Sequence, residues 1–147
     1  MEIAFEVPGQ PVPQPRHRIA ARGRFATAYV PKSHPVHAYK QAIVLAAKAS
    51  SKKWREGGVS LVAEFIFARP PSHWTKGGLA ASAPAIPPRC DWDNLGKAVS
   101  DAITDSGVIW NDDDQVVEAT VRKRYAARRE QPRTIIRIRS VEHDATT

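Results

Sequence analysis

Two aspartates, Asp91 and Asp93, stand two residues apart, and Lys97 follows four residues after the second. Further along comes Asn111-Asp112-Asp113-Asp114. Carboxylates at that density repel one another and call for a partner. A hard divalent cation is one, because Mg²⁺ takes carboxylate oxygens and keeps water positions for a substrate phosphate. In extended backbone, residues i and i+2 point the same way, so Asp91 and Asp93 would face one ion. The plainer alternatives are that Asp93 caps a helix and that the three aspartates form a solvated turn.

The charge around these residues favours the chemical alternative. From Asp91 to Glu118 the chain holds eight acidic residues and one lysine, a net charge of −7. The whole chain of 147 residues carries +7, so everything outside that window carries +14. A basic body attracts polyanions, and an acidic segment within it can hold a cation that acts on them. A phosphodiester substrate explains both halves, since metal ions activate water and stabilise the leaving oxygen in phosphoryl transfer.

Composition narrows the class further. Hydrophobic residues make up 42% and charged residues 25%, which suits a folded globular chain. No apolar run approaches the ~20 residues of a membrane span, and the N-terminus lacks the basic and apolar regions of a secretory signal. A lone cysteine, Cys90, forms no internal disulfide and is expected to be a small buried residue. His34 and His37 lie three apart near a helix start and His17, His73 and His143 are scattered, so no zinc or other transition-metal site is expected. A cytoplasmic protein without a small-molecule cofactor follows as the expectation.

The elements that must position these residues are legible as periodicities. Glu2–Val7 alternates as a strand with one wet face, and Pro8 ends it. Residues 9–24, with Pro11, Pro13, Pro15, Arg16, Arg18, Arg22 and Arg24, read as a basic extended arm. Phe25–Val30 is a short strand. Tyr39, Ala42, Ile43 and Ala46 mark a helix over Val36–Ser50. Val59–Ala68 has two apolar faces and reads as a central strand. Residues 69–90 form a long Pro-rich loop in which Trp74 beside Lys76 either stacks on a base or tacks the loop to the core.

Leu95, Ala98, Val99, Ala102 and Ile103 define a second helix, with Asp93 as the N-cap candidate and Gly107 as its stop. Trp92, opposite the two aspartates, is expected in the core. Val116–Tyr125 alternates, with Val117, Ala119 and Val121 on one face, and Thr134–Val141 is the last strand. Residues 142–147 read as a frayed tail. The order β-β-α-β-loop-α-β-β predicts one domain over 1–147, an α+β fold of two layers with a mixed β-sheet and two main helices packed on it. The second helix spans ~18 Å, so the acidic turn reaches its N-terminal end only if Val108–Trp110 doubles back.

The segment Asp91-Trp92-Asp93-Asn94-Leu95-x-Lys97, the helix with Asp101-Ala102, then Gly107-Val108-Ile109 and Asp112-Asp113-Asp114-Gln115-Val116-Val117, resembles the RusA family of Holliday-junction resolvases. The likeness is strong over Asp91–Glu118. It is weaker in Pro8-Gly9-Gln10-Pro11, Arg16 and Tyr29-Val30-Pro31, and absent from Arg69–Arg89. It implies a homodimeric, often phage- or prophage-borne endodeoxyribonuclease that cuts four-way DNA junctions by paired nicks with Mg²⁺, for which Mn²⁺ can substitute. By the same resemblance Asp91 and Asp93 match metal-binding aspartates, Lys97 the catalytic lysine, and Asp113 the remaining aspartate when the turn is aligned on Gln115. Asp114 stands where the family varies and the preceding stretch is one residue longer, so Asp112 is the alternate. Arg16, Arg18, Arg22, Arg24, Lys76, Arg122 and Arg124, with Lys123, Arg128 and Arg129 behind them, are the candidate contacts to DNA phosphates. The competing functions are a branched- or single-stranded-DNA-binding protein that does not cut, and a basic RNA-associated domain.

Overall fold

The computed structural model describes residues 2–15, 18–22, 25–50, 53–54 and 56–141, and for 18–22 and 25–28 the backbone alone. In chain order the elements are β1 (Glu2–Pro8), β2 (Arg18–Arg22), β3 (Phe25–Tyr29), α1 (Val36–Ser50), β4 (Val59–Phe67), β5 (Trp74–Thr75), β6 (Gly78–Leu79), α2 (Trp92–Ser106), β7 (Val116–Tyr125) and β8 (Arg133–Ser140). Four strands form a mixed sheet in the order β1-β8-β4-β7. Strand β8 runs antiparallel to both β1 and β4, while β4 and β7 run parallel. A parallel pair needs a long crossover, which residues 68–115 with α2 supply.

Side chains that alternate along the strands explain the two layers. Leu61, Ala63 and Phe65 of β4 face the same side as Ile136 and Ile138 of β8 and Ile3 and Val7 of β1, and all are buried. The helices close over that side with Val36, Tyr39, Ile43 and Ala47 from α1 and Leu95, Ala98, Val99, Ala102 and Ile103 from α2. Each large apolar side chain so buried contributes ~1.5–3 kcal/mol. The Tyr39 hydroxyl and Thr134 Oγ1, 2.5 Å apart, join α1 to β8 inside the core. This is the two-layer α+β arrangement expected, with β4 central as its two apolar faces require.

Three expectations change. Part of the Pro/Arg-rich arm is a strand: Arg18–Arg22 pairs with Phe25–Tyr29 as a hairpin separate from the main sheet. The long loop is not featureless, since it holds a 3₁₀ turn at Pro71–His73 and the β5-β6 pair. Arg69 donates to the Pro84 carbonyl at 2.8 Å and lies over the Tyr125 ring, while Arg128 lies over Trp74 and bonds the Thr75 carbonyl at 3.2 Å. Trp74 therefore tacks the loop down. Val117 points outward, 63% exposed, because a register shift at Val59/Ser60 pairs Val59 with Val116 and Ser60 with Glu118. An extra residue in one strand turns its side chain out of the alternation.

The sheet face away from the helices carries an ionic cluster. Arg124 grips Glu64 at 2.9 Å and both oxygens of Glu130 at 2.6 and 2.7 Å, and Glu130 also accepts from Arg133 at 3.1 Å. The hydrogen bonds from Arg124 hold the Glu130 carboxyl down at about 2, against an ordinary 4.5. A carboxyl depressed in the fold adds stability that is present above its unfolded value and is lost as pH falls towards its folded value. Arg124→Met should therefore flatten the loss of stability between about pH 4.5 and pH 2. Urea unfolding at stepped pH measures this, and an acid limb as steep as in the wild type would remove the cluster from that role.

Candidate active site

Helix α2 begins one turn earlier than its apolar stripe indicates. Asp91 is the N-cap, with extended backbone, and Trp92 is the first helical residue. Asp93 is thus inside the first turn, where its Oδ1 accepts the Asn94 N–H at 3.0 Å, and does not cap the helix. The extended geometry that would aim Asp91 and Asp93 together does not hold. Helical spacing instead places Asp93, Lys97 and Ser100, at i, i+4 and i+7, on one stripe. Trp92, expected in the core, is 63% exposed.

That stripe faces β7 across a groove of about 300 Å³. Asp93, Gly96, Lys97, Ser100 and Trp92 form one wall, and Val116, Ala119 and Val121 of β7 and Leu61 of β4 form the other. Gly96 allows the close approach, since a Cβ there would come within 3.2 Å of Val121 Cγ2. Asp113 lies at the same groove and accepts a hydrogen bond from Ser100 Oγ at 3.3 Å. The acidic turn does double back along α2, and it meets the helix at its middle.

The return path explains how. Gly107 ends α2 at φ 71° and Ile109 takes φ 72°. For a β-branched residue that backbone is strained; it is held here because Ile109 is fully buried and its carbonyl accepts the Trp54 N–H at 2.7 Å. Trp110 then turns into the core, fully buried, and its indole Nε1 donates to Thr104 Oγ1 at 2.8 Å. Gln115 closes the turn. Its Oε1 accepts the Asn111 N–H at 2.7 Å, and its Nε2 donates to the Trp54 carbonyl at 2.9 Å. Asp112 and Gln115 make a reciprocal capping box around Asp113–Gln115.

The electrostatics of the turn are those of crowded carboxylates. A hydrogen bond shared with Asp112, helped by some loss of solvation and by the Asp112 charge, raises the exposed Asp113 above the usual carboxylate range. Lys97, exposed on the groove, pairs with Asp101 at 3.5 Å, and Asp101 also reaches Lys40 at 3.9 Å. At the other end, Lys123 donates to the Cys90 and Pro87 carbonyls at 2.6 and 3.2 Å and so anchors the chain that enters Asp91. Burial pushes the Cys90 thiol up, away from a reactive thiolate.

Of the expected site residues, the structure brings Asp93, Lys97 and Asp113 to one groove. Asp91 is exposed at the helix cap and Asp112 is exposed beside Asp113. Among the described residues no group of three or more His, Cys, Asp or Glu stands close enough to hold a metal. The donor chemistry still fits Mg²⁺, which is commonly held through one or two carboxylates together with substrate phosphates. Ser100 and the groove-lining Trp92 were not expected in the site. Ser100 had no signal beyond its i+7 relation to Asp93.

The expected phosphate contacts divide differently. Arg16 and Arg24 lie outside the described residues, as do the side chains of Arg18 and Arg22. Lys76 is exposed in the turn between β5 and β6. Arg122 is exposed but sits with Val62, Ile135 and Arg137 on the sheet face opposite the groove. Arg124 is committed to Glu64 and Glu130 and Lys123 to two carbonyls, so neither is a free cation. A larger concavity, about 460 Å³, is lined by His37, Lys40, Lys48 and Asp105 and contains none of the residues of the groove.

The fold is an α+β layer with a groove of carboxylates and a lysine beside a parallel strand pair, a set of groups suited to a phosphodiester. Comparison with known families makes this specific. The family model described as Endodeoxyribonuclease RusA matches residues 8–139, and the chain belongs to that family. It is by that membership a deoxyribonuclease. No curated protein matches the chain. Among the described residues, no helix is long and apolar enough to cross a membrane.

Proposed function

We propose that this protein is a Mg²⁺-dependent endonuclease that resolves four-way DNA junctions by paired nicks, acting as a cytoplasmic homodimer built from a single catalytic domain. The observation that carries the reading is the meeting of Asp93 and Lys97 of α2 with Asp113 of the acidic turn on one groove. A four-way junction has two-fold symmetry, and a two-fold dimer offers one such groove to each of two opposed strands.

Asp93 and Asp113 are the residues that would hold the ion, with Asp91 and Asp112 adjacent. Bound there, Mg²⁺ supplies a Lewis acid and a water of lowered pKa. Lys97 places an ammonium next to the scissile phosphate and stabilises negative charge on the leaving 3′ oxygen. Asp101 restrains the Lys97 side chain at 3.5 Å without burying it. Ser100 orients the Asp113 carboxylate, and Lys123 holds the start of α2 in place through the Cys90 carbonyl. The hairpin of β2 and β3, with its arginines, and Lys76 supply sequence-independent contacts to phosphates.

The test is a synthetic four-way junction and a linear duplex of the same strands, each with Mg²⁺ or with EDTA. The expected result is symmetric nicking of the junction in Mg²⁺ only, with Mn²⁺ able to substitute, and little cutting of the duplex. A junction left intact in Mg²⁺, at protein concentrations that retard it on a gel, overturns the reading and leaves a non-cleaving DNA-binding protein.

A further inference from the structure

Trp92 has no structural reason to stand where it does. Trp110 is buried and Trp54 and Trp74 are half-buried, while Trp92 is 63% exposed at the first position of α2, between the two aspartates. Among the described residues no ring stacks on it and no arginine lies over it. A large indole left in water forgoes the stabilisation its burial would bring, and an exposed aromatic that adjoins further apolar surface is the kind of patch that marks a binding site. It lines the groove of Asp93, Lys97 and Asp113, whose far wall is the apolar row Val116, Ala119 and Val121.

Those neighbours select the occupant. The carboxylates of Asp93 and Asp113 disfavour a second anionic group in the groove, and the apolar row offers no hydrogen-bonding partner from its side chains. A flat neutral ring, apolar on its faces, suits both, and Lys97 meets the phosphate attached to it. Branched DNA presents such a ring wherever pairing is interrupted, and base–aromatic stacking is indifferent to base identity. We propose that Trp92 and this apolar wall form a stacking site for a nucleobase unpaired at the branch point, so that a base held by Trp92 sets which phosphodiester reaches Asp93 and Asp113. The inference rests on the nuclease reading above, and adds to it a residue that discriminates branched from continuous DNA.

The experiment compares wild type, Trp92→Ala and Trp92→Phe. Binding to a four-way junction and to a fully paired duplex is measured in EDTA, the cleavage positions are mapped in Mg²⁺, and the species present are sized by sedimentation. Trp92→Ala should weaken junction binding about tenfold or more, leave duplex binding unchanged and spread the nicks over neighbouring positions. Trp92→Phe, which keeps a stacking face, should retain most of the affinity and the wild-type cut sites. Because the indole is exposed, both variants should keep the wild-type unfolding midpoint. The inference is overturned if Trp92→Ala binds the junction within twofold of wild type with an unchanged cutting pattern. It is equally overturned if that variant sediments as a smaller species, which would assign the indole to contact between two copies of this chain. A wild type that binds but fails to cut overturns the nuclease reading itself; a wild type that cuts beside an unaffected Trp92→Ala overturns only the stacking site.

Discussion

Asp93→Asn should slow junction cleavage more than about a hundredfold, because a carboxylate that holds a catalytic cation is worth several kcal/mol in the transition state and each 1.36 kcal/mol is tenfold in rate. Binding of the uncut junction should be unchanged or tighter, since the substitution removes a negative charge that faces phosphate. The fold should barely respond. Asp93 is exposed, and its position in the first turn of α2 places it against the positive end of the helix, a contribution of only ~0.3–1 kcal/mol at the surface. Asparagine keeps the shape and can still accept the Asn94 N–H. Asp105→Asn is the matched control: it is exposed on the same helix, away from the groove, and should cut at close to the wild-type rate. Cleavage time courses under single-turnover conditions, with gel-shift binding in EDTA, separate the two effects. An Asp93→Asn protein that cuts like the wild type would remove Asp93 from the site. One that neither binds nor keeps its unfolding midpoint would make the residue structural.

The parts of this molecule that were legible in the sequence are those governed by local periodicity. Alternation placed β4 and β7, a 3.6-residue stripe placed α1 over Val36–Ser50, and Gly107 marked the end of α2. The start of α2 is not marked by periodicity, because its first turn, Trp92-Asp93-Asn94, carries no part of the apolar stripe, which begins at Leu95. With the helix extended by a turn, Asp93 moved off the cap and Trp92 moved out of the supposed core. The exposure of Val117 depends on a register shift that involves its partner strand, and no single-strand pattern contains it. Arg124 looked like a free cation because its partners lie off its own strand, Glu64 on β4 60 residues away and Glu130 in the turn that follows β7. The site follows the same division. Asp93 and Lys97 are legible as neighbours on one helix. Their meeting with Asp113 depends on Ile109 adopting φ 72° and on Gln115 reaching the Trp54 carbonyl, both set by long-range packing.

Trp110 is where that long-range packing is concentrated, and Trp110→Ala should cost ~3–5 kcal/mol of stability, the usual range for removing a buried tryptophan. Among the described residues it is the largest of the fully buried side chains, and its truncation leaves a cavity in the core that rigid neighbours on α2 fill only in part. The indole N–H bond to Thr104 is lost with it. Against a typical total of ~5–15 kcal/mol, this is a large fraction of the stability of the fold. For a chain of this size ~2–4 °C per kcal/mol, or a somewhat steeper response, places the fall in Tm at roughly 10–15 °C. Urea unfolding should show a lower midpoint with an unchanged slope. Trp110→Phe keeps most of the ring volume and gives up the hydrogen bond, so its loss should be markedly smaller. The informative measurement is cleavage by the Phe variant at a temperature where it is fully folded. Trp110 anchors the chain three residues before Asp113, and a displacement of an ångström at a catalytic group can cost on the order of a hundredfold in rate. A fully folded Trp110→Phe protein with reduced cleavage and intact junction binding would show that the indole positions the acidic turn as well as filling the core. Cleavage at the wild-type rate would leave Gln115, through its bonds to Asn111 and the Trp54 carbonyl, as the residue that positions Asp113. An unchanged unfolding midpoint in Trp110→Ala would contradict the full burial of the indole in the core.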